Sequence, residues 1–221
     1  MSNFAAARRM MVDGQVRTSD VTDQRLIAAM LDIPRDTFVP RAVRELSYLD
    51  LDVPVGDGKA PPRRMLKPMT LAKLIQAAAP VETDRVLDVG CTTGYSSAVL
   101  GRLVHTVVAL EADSALAAQA KAALSEAGAR NVDVVTGTLE SGLAAKGPYD
   151  VILIGGAVDF VPQALFDQMA EGGRLLCVLG TGPAAKAMIY SRNHGDVSGR
   201  VIFDASAGAL PGFIKAPSFV F

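Results

Sequence analysis

Apolar and polar positions along this chain follow two rhythms: stretches of helical period, and short apolar runs cut by glycine. Over residues 1 to 33, Phe4, Ala7, Met10, Met11 and Val16 can share one helical face, and the Met10–Met11 pair fits core packing rather than a metal box. Ser19 or Thr22 is placed to cap a second helix through Arg25, Leu26, Ile27, Ala28, Ala29 and Met30. Pro34 and Pro40 then break the pattern, since each ring fixes φ and restricts the residue before it. From Tyr48 to Pro62 the chain holds several aspartates and a Pro/Gly-rich stretch (Pro54, Gly56, Gly58, Pro61, Pro62). An irregular loop of this length in a compact domain reads as a ligand-facing lid. Helical spacing returns after Pro68 with Leu71, Leu74, Ile75 and Ala78, and Pro80 ends it.

The second rhythm starts at Arg85. Val86, Leu87 and Val89 form an apolar run that stops at Gly90, and a helix pattern begins after Gly94. A second run, Thr106 to Leu110, closes at Glu111. An Ala-rich helix is expected from Ser114 to about Glu126, with Gly128 as its C-terminal cap. Val132–Val135 reads as a third strand ending at Thr136-Gly137-Thr138, and Tyr149–Ile154 as a fourth meeting Gly155-Gly156. An unbroken apolar run of that kind suits a parallel strand covered on both faces. Ala164–Met169 looks helical, Gly172-Gly173 turns the chain, and Arg174–Leu179 makes a fifth strand. Ala187–Arg192 and Arg200–Asp204 are strand-like runs joined by a polar, Gly-containing turn, which predicts an antiparallel hairpin. Ala216–Phe221 is either a last edge strand or a buried tail.

Alternating strands and helices predict an α/β fold, a mostly parallel doubly wound sheet with a C-terminal antiparallel hairpin. The expected organisation is one structural domain, with residues 1–80 as a helical segment and loop packed on a core of residues 81–221.

Composition narrows the class. Half of the 221 residues are apolar, enough for a large core. A net charge of −1 gives no electrostatic case for nucleic acid or an anionic membrane as partner. Cys91 and Cys177 are too few for a disulfide framework, and His105 and His194 cannot form a histidine-rich metal site. No run reaches the roughly 18 apolar residues of a membrane helix. Arg8 and Arg9 are followed by Asp13, Gly14 and Gln15 rather than a signal sequence. A cytoplasmic protein is expected.

Strand, glycine turn and helix in succession make a nucleotide-binding edge, because glycine admits a close ligand and a helix start offers free N–H groups. Glu111 lies about 20 residues beyond the turn, where a carboxylate can accept both ribose hydroxyls of an adenosine. Asp88 is placed to brace the loop. Tyr95 either packs beside a cofactor or belongs to the core, Cys91 reads as a small loop residue, and His105 as structural. The closing hairpin favours an S-adenosylmethionine methyltransferase over a nicotinamide dehydrogenase.

The residues also resemble the protein-L-isoaspartate O-methyltransferase family over nearly the whole chain. Met11-Val12, Gln15 and Arg17 resemble its opening helix, and Val21-Thr22-Asp23 with Ala29-Met30 its second. Pro34-Arg35-Asp36-Thr37-Phe38-Val39-Pro40 is similar to its specific proline segment, and Tyr48 through Pro54 to the stretch before its substrate loop. Asp88 to Tyr95, Glu111, Asn131-Val132, Tyr149–Ile152 and Gly172–Leu175 match motifs shared by many methyltransferases.

The resemblance implies a Rossmann-like fold with its last strands in an unusual order, and S-adenosylmethionine as cofactor. It implies methyl transfer to the α-carboxylate of isoaspartyl residues in protein or peptide substrates. The ester then collapses to a succinimide that hydrolyses partly to aspartate. On this reading Asp88, Gly90, Thr92, Gly94, Tyr95, Glu111, Thr138 and Leu139 bind cofactor, Arg64, Met65, Leu66, Lys67 and Pro68 form the substrate loop, and no residue is assigned a catalytic role. A carboxylate attacking a sulfonium methyl is already anionic, so alignment and exclusion of water can supply most of the acceleration without a general base.

Departures from the family pattern lie where the ligands are expected. Leu66 stands where the family has a serine near the reacting carboxylate, leaving Arg63, Arg64 or Lys67 as substitute anion ligands. Thr92 replaces the middle loop glycine, which costs roughly 1–3 kcal/mol if φ must be positive there; if it takes ordinary angles, binding is only weaker. Thr138 replaces an aspartate, so that it can accept one bond without charge assistance. An isoaspartate-type methyltransferase, a methyltransferase for another carboxylate, and a non-catalytic binding or regulatory relative all remain open.

Overall fold

A computed structural model of the chain describes residues 3–56 and 62–215. Side-chain caps set where its first helices begin. Asn3 accepts from the Ala6 N–H at the start of α1 (Phe4–Met11), and Asp23 accepts from the N–H groups of Arg25 and Leu26 at the start of α2 (Gln24–Asp32). Asp23 is thus the cap, not Ser19 or Thr22: the Ser19 hydroxyl is spent on the Gln15 carbonyl, and Thr22 donates its N–H to Gln76. Met11 is buried but Met10 is 72% exposed, because consecutive helical residues point about 100° apart and only one can face the core.

Pro34 leads into a short 3₁₀ turn, Arg35–Phe38. Arg35 is completely buried. Its Nε donates to the Ser47 carbonyl and its Nη2 to the Leu66 carbonyl, both at 2.8 Å, while the guanidinium lies 4.7 Å from the Tyr95 ring centre. The proline segment is thereby tied to the loop and to the core.

Part of the expected lid is regular. Val53–Pro54 (β1) pairs antiparallel with Arg64–Met65 (β2), while the predicted loop glycine Gly58 and Pro61 lie outside the described residues. Helix α3 (Pro68–Ala78) starts with proline in its first turn and ends at Ala79 in a left-handed conformation.

The main sheet contains β3 (Arg85–Val89), β4 (Thr106–Glu111), β5 (Val132–Thr136), β6 (Tyr149–Val158), β7 (Met169–Leu179), β8 (Lys186–Asn193) and β9 (Asp196–Asp204). Its order is β5-β4-β3-β6-β7-β8-β9. The first five run parallel, and β8 and β9 add antiparallel in sequential order. The hairpin turns on His194 and Gly195, both at positive φ, as a two-residue loop requires when it follows the twist of its strands. The possible last strand at Ala216–Phe221 lies outside the described residues.

Period-two alternation sorts the strand residues between two cores. Val86, Val107, Ala109 and Val151 face α3, α4 (Tyr95–Gly101) and α5 (Ser114–Glu126). Leu87, Val89, Val108, Leu110 and Ile152 face Leu139, Leu210, Phe213 and Leu165 of the short α6 (Gln163–Phe166).

Two predicted boundaries move. Strand β6 does not stop at Gly155-Gly156 but runs through them to Val158; a Cβ on Gly155 would stand 2.8 Å from the Gly90 carbonyl oxygen, so glycine permits close approach rather than a turn. The helix expected to Met169 ends at Phe166, and Met169 opens β7, which passes through Gly172-Gly173 with a register shift against β6. Among the described residues no helix is long and apolar enough to cross a membrane, and no group of three acidic, histidine or cysteine side chains could hold a metal.

Candidate active site

In an open parallel sheet, ligands enter the crevice beyond the strand C-termini where the strand order reverses. Here that point lies between β3 and β6. Beyond β3, Gly90 has φ +77° and Gly94 φ +94°, and the N–H groups of Gly90 and Cys91 donate to the Leu110 carbonyl. Between them Thr92 sits at φ +54°, the conformation that is unfavourable for a β-branched residue. Its N–H donates to Glu111 Oε2 at 2.8 Å. The Thr93 hydroxyl donates to the Phe38 carbonyl at 2.6 Å, which binds the loop to the proline segment.

Asp88 lies under this loop, fully buried. Its Oδ2 accepts from the hydroxyls of Ser96 and Ser97 at 2.6 Å each, so the carboxyl anchors the start of α4, while Oδ1 has no partner. Burial raises its pKa to about 6; the two serine hydrogen bonds oppose the rise and the nearby Glu111 charge adds to it. The Cys91 thiol is also pushed up by burial, which suits a packing role.

Glu111 ends β4 with no solvent exposure. Arg63 meets it in a fork: Nη1 donates to Oε1 at 2.6 Å and Nη2 to Oε2 at 2.8 Å. The Asp113 N–H also donates to Oε1, at 3.1 Å. With the Thr92 bond, Glu111 accepts four hydrogen bonds, about the full capacity of a carboxylate. The crevice has a second occupant. Leu210 lies so close over Gly90 that a Cβ there would be 2.8 Å from its Cδ1. Its backbone N–H donates to the Ala157 carbonyl, holding residues 208–213 beside β6.

A ribose diol placed at Glu111 needs free carboxylate lone pairs and room above Gly90. Neither is available in this arrangement, so the residues present do not fit an adenosyl group as they stand.

The other expected positions divide. Tyr95 is a core aromatic, packed edge-on to Phe38 under the Arg35 guanidinium. Thr138 is exposed just past the Gly137 turn, which is bonded to the Glu111 carbonyl, and Leu139 is buried in the second core. In the loop, Met65, Leu66 and Pro68 point inward, and Leu66 packs in the first core rather than into the cavity lined by Arg64 and Lys67. Arg63, named as a substitute anion ligand, is committed to Glu111 instead.

Arg64 and Lys67 remain. They line a cavity of about 600 Å³ with Asp50, Asp52, Pro54 and Ser206. The Asp52 carboxylate accepts from the Lys67 N–H at 2.8 Å and the Gly208 N–H at 3.0 Å, stapling the loop to the C-terminal segment. Sequence reasoning found neither Asp52 nor Leu210, and found Arg63 without its partner. Asp52 is one of several aspartates in its stretch, and Arg63 and Glu111 are 48 residues apart, so no local pattern joins them.

A parallel sheet with a glycine turn and an acidic strand end at its switch point, extended by an antiparallel pair, defines a Rossmann-like methyltransferase fold. The chain belongs to the protein-L-isoaspartate O-methyltransferase family: the family model described as Protein-L-isoaspartate(D-aspartate) O-methyltransferase matches residues 7–205. It is 38% identical over 194 residues to the protein-L-isoaspartate O-methyltransferase of Koribacter versatilis (strain Ellin345), covering 88% of this chain and 85% of that one. The enzyme of the same name from Roseiflexus castenholzii (strain DSM 13941 / HLO8) is also 38% identical over 194 residues, covering 88% of this chain and 86% of its own. A solved protein-L-isoaspartate O-methyltransferase superposes with TM-score 0.82 at 25% identity, covering 93% of this chain and 66% of that one. The fold is shared with a Plasmodium falciparum β-aspartate methyltransferase solved in complex with S-adenosyl-L-homocysteine, at TM-score 0.78 and 17% identity over 92% of this chain and 97% of that one.

Proposed function

We propose that this chain transfers the methyl group of S-adenosylmethionine to the α-carboxylate of isoaspartyl residues in damaged proteins. The observation that carries this reading is the pairing of two sites across one strand. Arg63 faces Glu111 and the glycine loop, and the next residue, Arg64, lines the cavity that also holds Lys67. Arg63 stands immediately before β2 and Arg64 opens it; successive residues of an extended chain point to opposite faces, so the crevice and the cavity lie back to back across this segment. Residues 1–80, together with Ser206 from the core, would then line the acceptor side, and residues 81–221, together with Arg63, the cofactor side of one domain.

The acceptor is an anion at neutral pH and needs no base. Lys67 and Arg64 are the cations of that cavity, where the Asp52 carboxylate is already held by two backbone N–H groups, and Leu46 and Leu51 give it an apolar wall. Thr138 and Leu139, with Asp88, Gly90, Thr92, Gly94 and Glu111, are the residues we assign to the cofactor side. The substrates are protein or peptide segments, and the protein works in the cytoplasm, a location that suits its two unpaired buried thiols, Cys91 and Cys177.

The test is label transfer from methyl-labelled S-adenosylmethionine to an isoaspartyl peptide, with the matching aspartyl peptide and small free carboxylic acids as alternative acceptors. Base-labile label on the isoaspartyl peptide alone is expected. Label on the free acids alone would reassign the acceptor, and no transfer to any of them would overturn the proposal.

A second reading has one observation in its favour. The filled crevice at Glu111 suits a relative that keeps the fold as a binding or regulatory module. Transfer to the isoaspartyl peptide that disappears in Glu111→Ala would eliminate it.

A further inference from the structure

We propose that Arg63 is a built-in occupant of the cofactor site, so that a nucleoside ligand binds only in competition with the Arg63–Glu111 pair. The inference rests on reading the crevice between β3 and β6 as that site. Glu111 has no solvent exposure and Arg63 has 9%. A carboxylate buried so deeply must be compensated at all times, by a ligand's hydroxyls or by the protein itself. Arg63 does this in the geometry a vicinal diol would use, with two donors side by side on two carboxylate oxygens.

The occupant is positioned rather than adrift. Its own carbonyl accepts from the Val55 N–H at 3.0 Å, and the residue after it is paired in β2. Asp52 holds that strand's far side by bonding the Lys67 N–H and the Gly208 N–H together. Leu210, two residues beyond Gly208, closes the crevice above Gly90. Admission of a ribose therefore requires Arg63 to leave Glu111 and Leu210 to leave Gly90. Because Asp52 links the two segments, the structure couples these movements.

A site that is competent only when Arg63 is displaced shows an apparent Kd raised by the inverse of the displaced fraction. If that fraction is below about one in ten, removing the arginine tightens binding by at least about tenfold.

Isothermal titration of the full chain with S-adenosylhomocysteine tests this in the wild type, Arg63→Gln and Arg63→Ala, with far-ultraviolet circular dichroism confirming that each is folded. Both variants are expected to bind at least tenfold more tightly than the wild type, and adding Glu111→Gln to either is expected to abolish the gain. Wild-type affinity equal to or better than that of the variants would overturn the proposal while leaving the crevice a cofactor site. Absence of binding in all the folded chains would overturn the reading of the crevice itself, and the proposal with it.

Hydrogen exchange on the wild type alone gives a second measure that does not depend on the variants folding. At saturating S-adenosylhomocysteine, the amides of residues 63–67 are expected to exchange faster while those of residues 88–95 become protected. Protection of both segments together would show that Arg63 stays in place beside the ligand, and would overturn the proposal.

Discussion

The backbone N–H of Thr92, held at φ +54°, donates to the Glu111 carboxylate at 2.8 Å. A charge-assisted bond thus holds a β-branched residue in a conformation that glycine adopts freely. Of the two outcomes open for Thr92 in the sequence, the loop takes the strained one. Thr92→Gly is therefore expected to keep the bond and release the strain, which costs roughly 1–3 kcal/mol. Glycine's greater entropy in the unfolded chain offsets about 0.5–1 kcal/mol of that. The net is a gain of about 1 kcal/mol, or roughly 2–4 °C in Tm for a domain of this size, read by thermal unfolding.

Breaking the Arg63–Glu111 pair from the arginine side leaves a buried carboxylate with only the Thr92 and Asp113 N–H groups. Arg63→Ala is expected to lower stability by roughly 3–5 kcal/mol. The double change Arg63→Ala with Glu111→Gln removes the stranded charge and is expected to recover part of the loss. Urea unfolding of the four chains forms a double-mutant cycle, and additive losses would show that the pair is not coupled.

Asp88 makes a pH signature. Its carboxyl, raised from 3.8 to about 6 by burial, holds its proton more tightly in the folded chain than in the unfolded one. Its contribution is complete below pH 3.8 and is lost as pH rises through about 6. That difference corresponds to roughly 3 kcal/mol. Asp88→Asn has no such dependence, so its stability relative to wild type should improve by about 2–3 kcal/mol between pH 4 and pH 7. Urea midpoints at the two pH values measure the change, and a parallel shift in both proteins would contradict it.

Lys67 and Arg64 are the cations lining the cavity proposed to take the acceptor. Lys67→Ala keeps the backbone N–H that binds Asp52 and removes only the ammonium group. It is expected to raise KM for an isoaspartyl peptide about five- to tenfold with little change in kcat, as for a group that binds ground state and transition state alike. The wild-type KM should rise with salt, and that dependence should weaken in the variant.

Much of the architecture was legible because it follows from local rules. Short apolar runs specify β3 to β5, helical spacing and Pro68 specify α3, and two strand-like runs joined by a polar, Gly-containing turn specify the β8–β9 hairpin. Boundaries failed where a glycine serves approach instead of turning, as at Gly155 in β6, because its neighbour there is the Gly90 carbonyl just beyond β3. Periodicity also misjudged Met10, since one face of α1 cannot take two consecutive residues.

By itself the sequence determined the class of fold, the glycine loop, Glu111 as its acidic partner, and the family resemblance. These depend on residue type and spacing within a few turns or strands. Only the tertiary structure decided what Glu111 holds, where Leu66 points, and that Leu210 covers Gly90. Those outcomes depend on groups brought together from distant segments: Arg63 from the β1–β2 hairpin, Arg35 from the proline segment, and Leu210 from beyond β9. A buried carboxylate draws the nearest cation whatever its place in the chain, and packing alone determines which cation that is.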